Sequence, residues 1–291
     1  MATYYVGWDV GAWNCSGGKN PQSHDAIAVF DKDFNFVSCG LGNIKASLLD
    51  STNFADFLSK FVVSDKEKNE LPITFDEQND RFIIAIDAVL GWPTSFLRLL
   101  TEPNISRKEL KALFPNGASI ENKFLFRQTE REVKKTKMPL SAVKDQIGSQ
   151  STKAIFLLKY LGFSKEKCSA WKDKSAWKDK EVNGNIAIET YPGAGLMACK
   201  EKILNKLNCK QENLSKYRLS YSTKGLKKDL LFDVVVSPDG KTATTIDVDL
   251  QDAIVCSWIA KTYKEEMDNS PEKGIIEPYA FEGRIWLPPK K

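Results

Sequence analysis

The sequence predicts an α/β protein, a mixed sheet in which a three-strand antiparallel meander is extended by parallel strands and flanked by helices. Three observations lead there. Short apolar runs at 3–10, 25–30 and 35–41 follow one another closely, as hairpin-linked strands do. Later apolar runs alternate with segments of helical periodicity, the pattern of a sheet covered on both faces. Acidic residues recur at the ends of these elements, where open α/β sheets place their sites.

The first run, TYYVGWDV (3–10), reads as a buried strand and leads into a Gly/Ser/Asn-rich loop, GAWNCSGGKNPQSH (11–24). DAIAVF (25–30) and NFVSCGL (35–41) are strands joined by the polar turn DKDF. NFADFLSKFV (53–62) sets Phe54, Phe57, Leu58 and Phe61 on one helical face. A charged connection (64–80) precedes the strand at 82–87, in the run RFIIAIDAVLGWP (81–93). From 94 to 162 the pattern is mostly helical. Ser106 and Glu109 stand at capping-box spacing, and SQSTKAIFLLKYLG (149–162) ends at a glycine. Residues 163–183 read as a surface insertion, with SAWKDK repeated in tandem at 169–174 and 175–180. Two copies of a hexapeptide do not build a solenoid; the alternative use is a Trp/Lys strip that stacks on bases. GNIAIE (184–189) is a further strand, followed by a helix in which Pro192 suits the first turn. TKGLKKDLLFDV (223–234) reads as helical, VVVSPDGKTATTI (234–246) as a hairpin, and DLQDAIVCSWIAKTYKEEM (249–267) as a long amphipathic helix. The chain is expected to form one domain over 1–291.

Composition narrows the chemistry. At 291 residues, 42% hydrophobic and 27% charged, the chain can build a sizeable core. No apolar run nears the roughly 20 residues of a membrane helix. The N-terminus lacks the basic-then-apolar pattern of a secretory signal. Six scattered cysteines without a C-x-x-C pair fit a reducing cytoplasm, not a zinc site or a disulfide framework. A net charge of +4 permits nucleic acid as a partner without requiring it. The single histidine, His24, excludes histidine-rich metal sites and paired-histidine mechanisms. Any acid–base or metal chemistry therefore falls mainly to carboxylates.

Those carboxylates stand in comparable places. Asp9 lies near the end of the first strand, Asp87 ends the fourth, Glu189 ends the fifth, and Asp249 and Asp252 open the last long helix three residues apart, on one face. Taken singly, each has an ordinary reading as a turn former, a helix cap or a partner of a helix dipole. Together they suggest a Mg²⁺ or Mn²⁺ site, since clustered carboxylates repel one another unless a cation neutralises them, and magnesium takes oxygen ligands. Paired divalent ions activate a water and stabilise a leaving oxygen in phosphodiester cleavage.

The motifs GWDVG, IDAVLGWP, FRQTER, IETYPGAGL, DLQDAIVCSWIA and EGRIWLPP, spread over residues 5–288, resemble those of domain-of-unknown-function family 429, whose members are regarded as predicted nucleases of the RNase H-like superfamily. The resemblance implies an RNase H-like sheet and a metal-dependent nuclease. Asp9, Asp87, Glu189 and Asp252 match the acidic catalytic positions, with Asp249 beside them. Val89 stands where relatives often have proline, and Arg284 where they commonly have tryptophan; neither change touches an acid.

Arg127, Arg131 and Lys135 lie in a basic stretch (123–144) and are candidate phosphate contacts; the alternative is a solvated or salt-bridged helix face. Lys153 reads as a surface residue of its helix. Trp92, Tyr191 and Trp286 accompany the motifs and either wall the site or pack the core. Two other functional classes remain open from sequence. One is a nucleotide-binding protein or phosphotransferase of the actin/sugar-kinase type, which shares the meander and first-strand acid but normally repeats the motif. The other is a catalytically silent binding module.

Overall fold

The computed structural model describes residues 2–13, 25–62, 73–101, 104, 106–108, 119–134, 138–143, 145, 147–164, 176–179, 185–198, 248–269, 283 and 285–288. The strands are β1 (Ala2–Asp9), β2 (Asp25–Phe30), β3 (Phe36–Gly42), β4 (Asp80–Asp87), β5 (Phe163–Ser164), β6 (Ala176–Asp179), β7 (Ile186–Thr190) and β8 (Ile285–Trp286). They form one mixed sheet in the order β3-β2-β1-β4-β7-β6-β5, with β8 also paired to β7. β1, β2 and β3 are the antiparallel meander, and β1/β4, β4/β7 and β7/β8 are parallel. The α/β class and the meander-plus-parallel sheet are those expected from the sequence.

Period-two alternation sorts the strand side chains onto two faces. Val6, Trp8, Ile84 and Ile86 face a layer built from α2 (Phe54–Phe61) and α5 (Gly148–Tyr160), where Phe54, Phe57, Leu58, Leu157 and Leu158 are buried. Asn53 caps α2 by accepting from the Asp56 N–H at 2.8 Å. Tyr5, Ile83, Ala85 and Ile188 face the long helix α7 (Val248–Asn269), which buries Leu250, Ala253, Cys256, Ile259 and Tyr263. The remaining helices are α1 (Lys45–Leu49), α3 (Thr94–Thr101), α4 (Gln128–Val133) and α6 (Pro192–Ala198), the last with its proline in first position as expected.

Gly7 sets the distance between β1 and α7. A Cβ there would lie 1.7 Å from the Ala253 carbonyl oxygen, so only glycine lets the helix rest directly on the strand. That contact carries Asp252, next in sequence to Ala253, towards the end of β1.

Within the expected surface insertion at 163–183, the described residues include two strands. Phe163 is buried, β5 pairs with β6, and β6, drawn from the second SAWKDK copy, pairs antiparallel with β7. The first copy, the expected helix at 223–234 and the hairpin at 234–246 lie outside the described residues, as do His24, Glu109, Lys135 and Arg284. Among the described residues no helix is long and apolar enough to cross a membrane.

Candidate functional site

The site forms where three parallel strands end. Asp9 and Asp87 are in register on adjacent strands, β1 and β4, and share the parity of Tyr5, Gly7, Ile83 and Ala85, the face covered by α7. Asp249 and Asp252 come from the first turns of α7. Burial and the charges of Asp87, Asp249, Asp252 and Asp25 push the Asp9 carboxyl up from 3.8 to about 10. Cys256, one turn beyond Asp252, is fully buried; burial first, then the charges of Asp87, Asp9 and Asp252, raise its thiol well above the ordinary value. Four of the five acids singled out from sequence therefore act on one small region.

Glu189 departs from that group by one residue. Its register partner on β4 is Ile86, not Asp87, so it belongs to the opposite sheet face, and Thr190 stands at the level of Asp87. Both Glu189 oxygens are engaged. Arg127 donates through Nη1 at 2.8 Å and through Nη2, and the Leu90 N–H donates at 3.0 Å. Arg127 also holds Glu130 through Nε at 2.8 Å, while Glu130, at the third position of α4, reaches back to accept from the Arg127 backbone N–H. Burial works against the guanidinium, but the charges and hydrogen bonds of Glu189 and Glu130 outweigh it and hold Arg127 above its usual pKa. Gly283, at φ +73°, leaves room for this pair: a Cβ there would sit 3.2 Å from Glu189 Oε2 and 3.3 Å from Arg127 Nη1. Four separated motifs meet at one buried ion-pair network.

Of the two readings of Arg127, a phosphate contact or a solvated or salt-bridged helix face, the structure shows a salt bridge, and a buried one: the side chain is 0% exposed and paired with two carboxylates. Glu189, an expected metal ligand, has its charge met by Arg127. Arg131, on α4, is partly exposed.

Sequence reasoning missed a second buried pair. Lys153, expected at the surface, is 4% exposed and forms an ion pair with Asp25. Asp25 also accepts from Trp8 Nε1 and the Gly11 N–H, both at 3.2 Å, and Lys153 Nζ reaches the Ala12 carbonyl at 3.4 Å. Burial raises the Asp25 carboxyl; the Lys153 charge and these hydrogen bonds oppose that rise. The available signal was the meander itself, because an antiparallel return brings the start of β2 beside the end of β1.

A pocket of about 200 Å³ opens over the strand ends. Asp9, Asp87 and Glu189 line it together with Val89, Pro139, Leu140, Ile147, Gln150 and Tyr191. Of the motif aromatics, Tyr191 thus walls the pocket, Trp286 packs edge-on against Tyr263 at 5.3 Å, and Trp92 stacks with Phe96 at 6.0 Å.

Among the described residues, no group of three or more His, Cys, Asp or Glu side chains is arranged to hold a metal ion. The donor chemistry is nonetheless that of a hard cation. Magnesium is commonly held by one or two carboxylates and keeps several waters, so Asp9 and Asp87 would suffice as direct ligands without a third converging acid. Compared with protein-family models, curated proteins and solved structures, the chain matches none.

Proposed function

We propose that this protein is a divalent-metal-dependent nuclease of RNase H-like fold, hydrolysing phosphodiester bonds. The observation that carries the reading is the in-register pair Asp9 and Asp87 at the ends of neighbouring parallel strands, with the charges of Asp249 and Asp252 near enough to raise the Asp9 carboxyl. Asp9 and Asp87 would hold Mg²⁺ or Mn²⁺, and Asp249 and Asp252 would add charge or bind its waters. The bound ion supplies an activated water and stabilisation of the leaving oxygen. Glu189 acts with Arg127 as a clamp that fixes the pocket wall. Lys153 and Asp25 fix the turn that follows β1. The motif resemblance to domain-of-unknown-function family 429 and the meander-plus-parallel sheet support the same reading. A cytoplasmic setting fits the free cysteines Cys39 and Cys256.

Cleavage of a labelled oligonucleotide in Mg²⁺ or Mn²⁺ tests this reading. Wild-type protein should cleave, excess chelator should stop it, Asp87→Asn should abolish it, and His24→Ala should leave it nearly intact. Cleavage that persists in chelator and is lost with His24→Ala would overturn the mechanism. Adenine-nucleotide binding without any cleavage would favour a phosphotransferase-like protein instead.

A further inference from the structure

We infer that the pocket over the strand ends takes a single unpaired nucleobase, so that the substrate at this site is single-stranded nucleic acid; the inference rests on the nucleic-acid reading above. The pocket lining brings two chemistries together: the carboxylates Asp9, Asp87 and Glu189, and the apolar side chains of Val89, Pro139, Leu140 and Ile147. Phosphate and its cation suit Asp9 and Asp87, and a flat, weakly polar ring suits the apolar residues. Gln150, also in the lining, carries a side-chain amide able both to donate and to accept, which suits the edge of a base.

Size decides between strand states. At about 200 Å³ the pocket falls below the roughly 300–1,000 Å³ of clefts for drug-sized ligands, so it has room for one small planar group. A paired base is held in its stack and cannot enter without being unpaired and turned out, a cost that a single strand avoids. Enzymes that read one base in a pocket act on single strands or extrude the base for this reason.

The test is fluorescence anisotropy with a labelled single-stranded oligonucleotide and with a duplex of the same sequence, alongside a cleavage assay on both. Leu140 is 53% exposed, so Leu140→Glu places a charge on the wall with little risk to the fold, which circular dichroism checks. Leu100, 67% exposed on α3 and outside the pocket lining, gives the matching control, Leu100→Glu. The expected result is single-strand binding about tenfold tighter than duplex binding, a preference lost in Leu140→Glu and kept in Leu100→Glu. Equal or tighter duplex binding, an unaffected Leu140→Glu, or equal losses in both variants would overturn the inference. Cleavage of both substrates alike by wild type and Leu140→Glu would leave the nuclease reading standing and remove this one. Selective, Leu140-dependent binding without cleavage would do the reverse, and no binding of either oligonucleotide would remove both.

Discussion

Replacing Asp9 with asparagine should stabilise the cation-free protein. In the folded chain, burial and the charges of Asp87, Asp249, Asp252 and Asp25 move the Asp9 carboxyl from 3.8 to about 10. A carboxyl whose folded pKa is raised favours the folded state below its unfolded pKa, and that contribution is lost as pH rises towards the folded pKa. At pH 7 the unfolded chain ionises Asp9 freely, whereas the folded chain must keep the proton or accept a charge among acids. The span from 3.8 to 7 is about three pH units, each worth about 1.36 kcal/mol, so the upper bound is about 4 kcal/mol. Asp9 is partly exposed, and solvent screening reduces this to about 1–3 kcal/mol. Asp9→Asn removes the charge at nearly constant shape. Urea unfolding in excess chelator should therefore show the variant more stable by that amount at pH 7. The advantage should shrink on acidification and vanish near pH 4. Added Mg²⁺ should raise the stability of wild type and leave the variant nearly unchanged, because only an intact site gains from binding. A variant no more stable than wild type at pH 7, or an advantage that grows as pH falls, would refute the reasoning.

Arg127→Met should cost about 3–5 kcal/mol in urea unfolding, because it strands two buried carboxylates, with part of the loss recovered in the double variant with Glu189→Gln. Lys153→Met should cost about 3 kcal/mol at pH 7 by leaving Asp25 buried without its cation. Acidification should narrow that loss, since a protonated Asp25 no longer needs the cation. Gly7→Ala should cost about 3 kcal/mol or more, or yield insoluble protein, since the clash is with helix backbone that no rotamer change relieves.

Much of the fold was legible because its signals are local. Strands β1, β2 and β4, helix α2 and the long α7 follow from apolar periodicity and turn residues, and their observed bounds lie within a few residues of those read from sequence. The site was legible only as far as element ends reveal it. Asp9 and Asp87 share a face because their strands pair in register, and sequence gives each strand without giving that register. A one-residue offset moved Glu189 to the other face, where an arginine 62 residues away meets it. Arg127 illustrates the same limit: a basic stretch suggests an outward face, yet this position points inward to two acids. The Lys153–Asp25 pair joins residues 128 apart, and only the assembled meander and α5 bring them together. The strand from the tandem repeat was hidden by its charged composition, which reads as surface whether or not its backbone joins a sheet.

The central claim is that Asp9 and Asp87 hold a divalent cation, and crystals soaked in Mn²⁺ with anomalous data collected test it most directly. The account predicts an anomalous peak between the two carboxylates at about 2.1 Å from their oxygens, lost in Asp87→Asn crystals, with Glu189 still bound to Arg127. A peak on Glu189 with Arg127 displaced, or a saturating soak that leaves the Asp9–Asp87 pair without any peak, would contradict it.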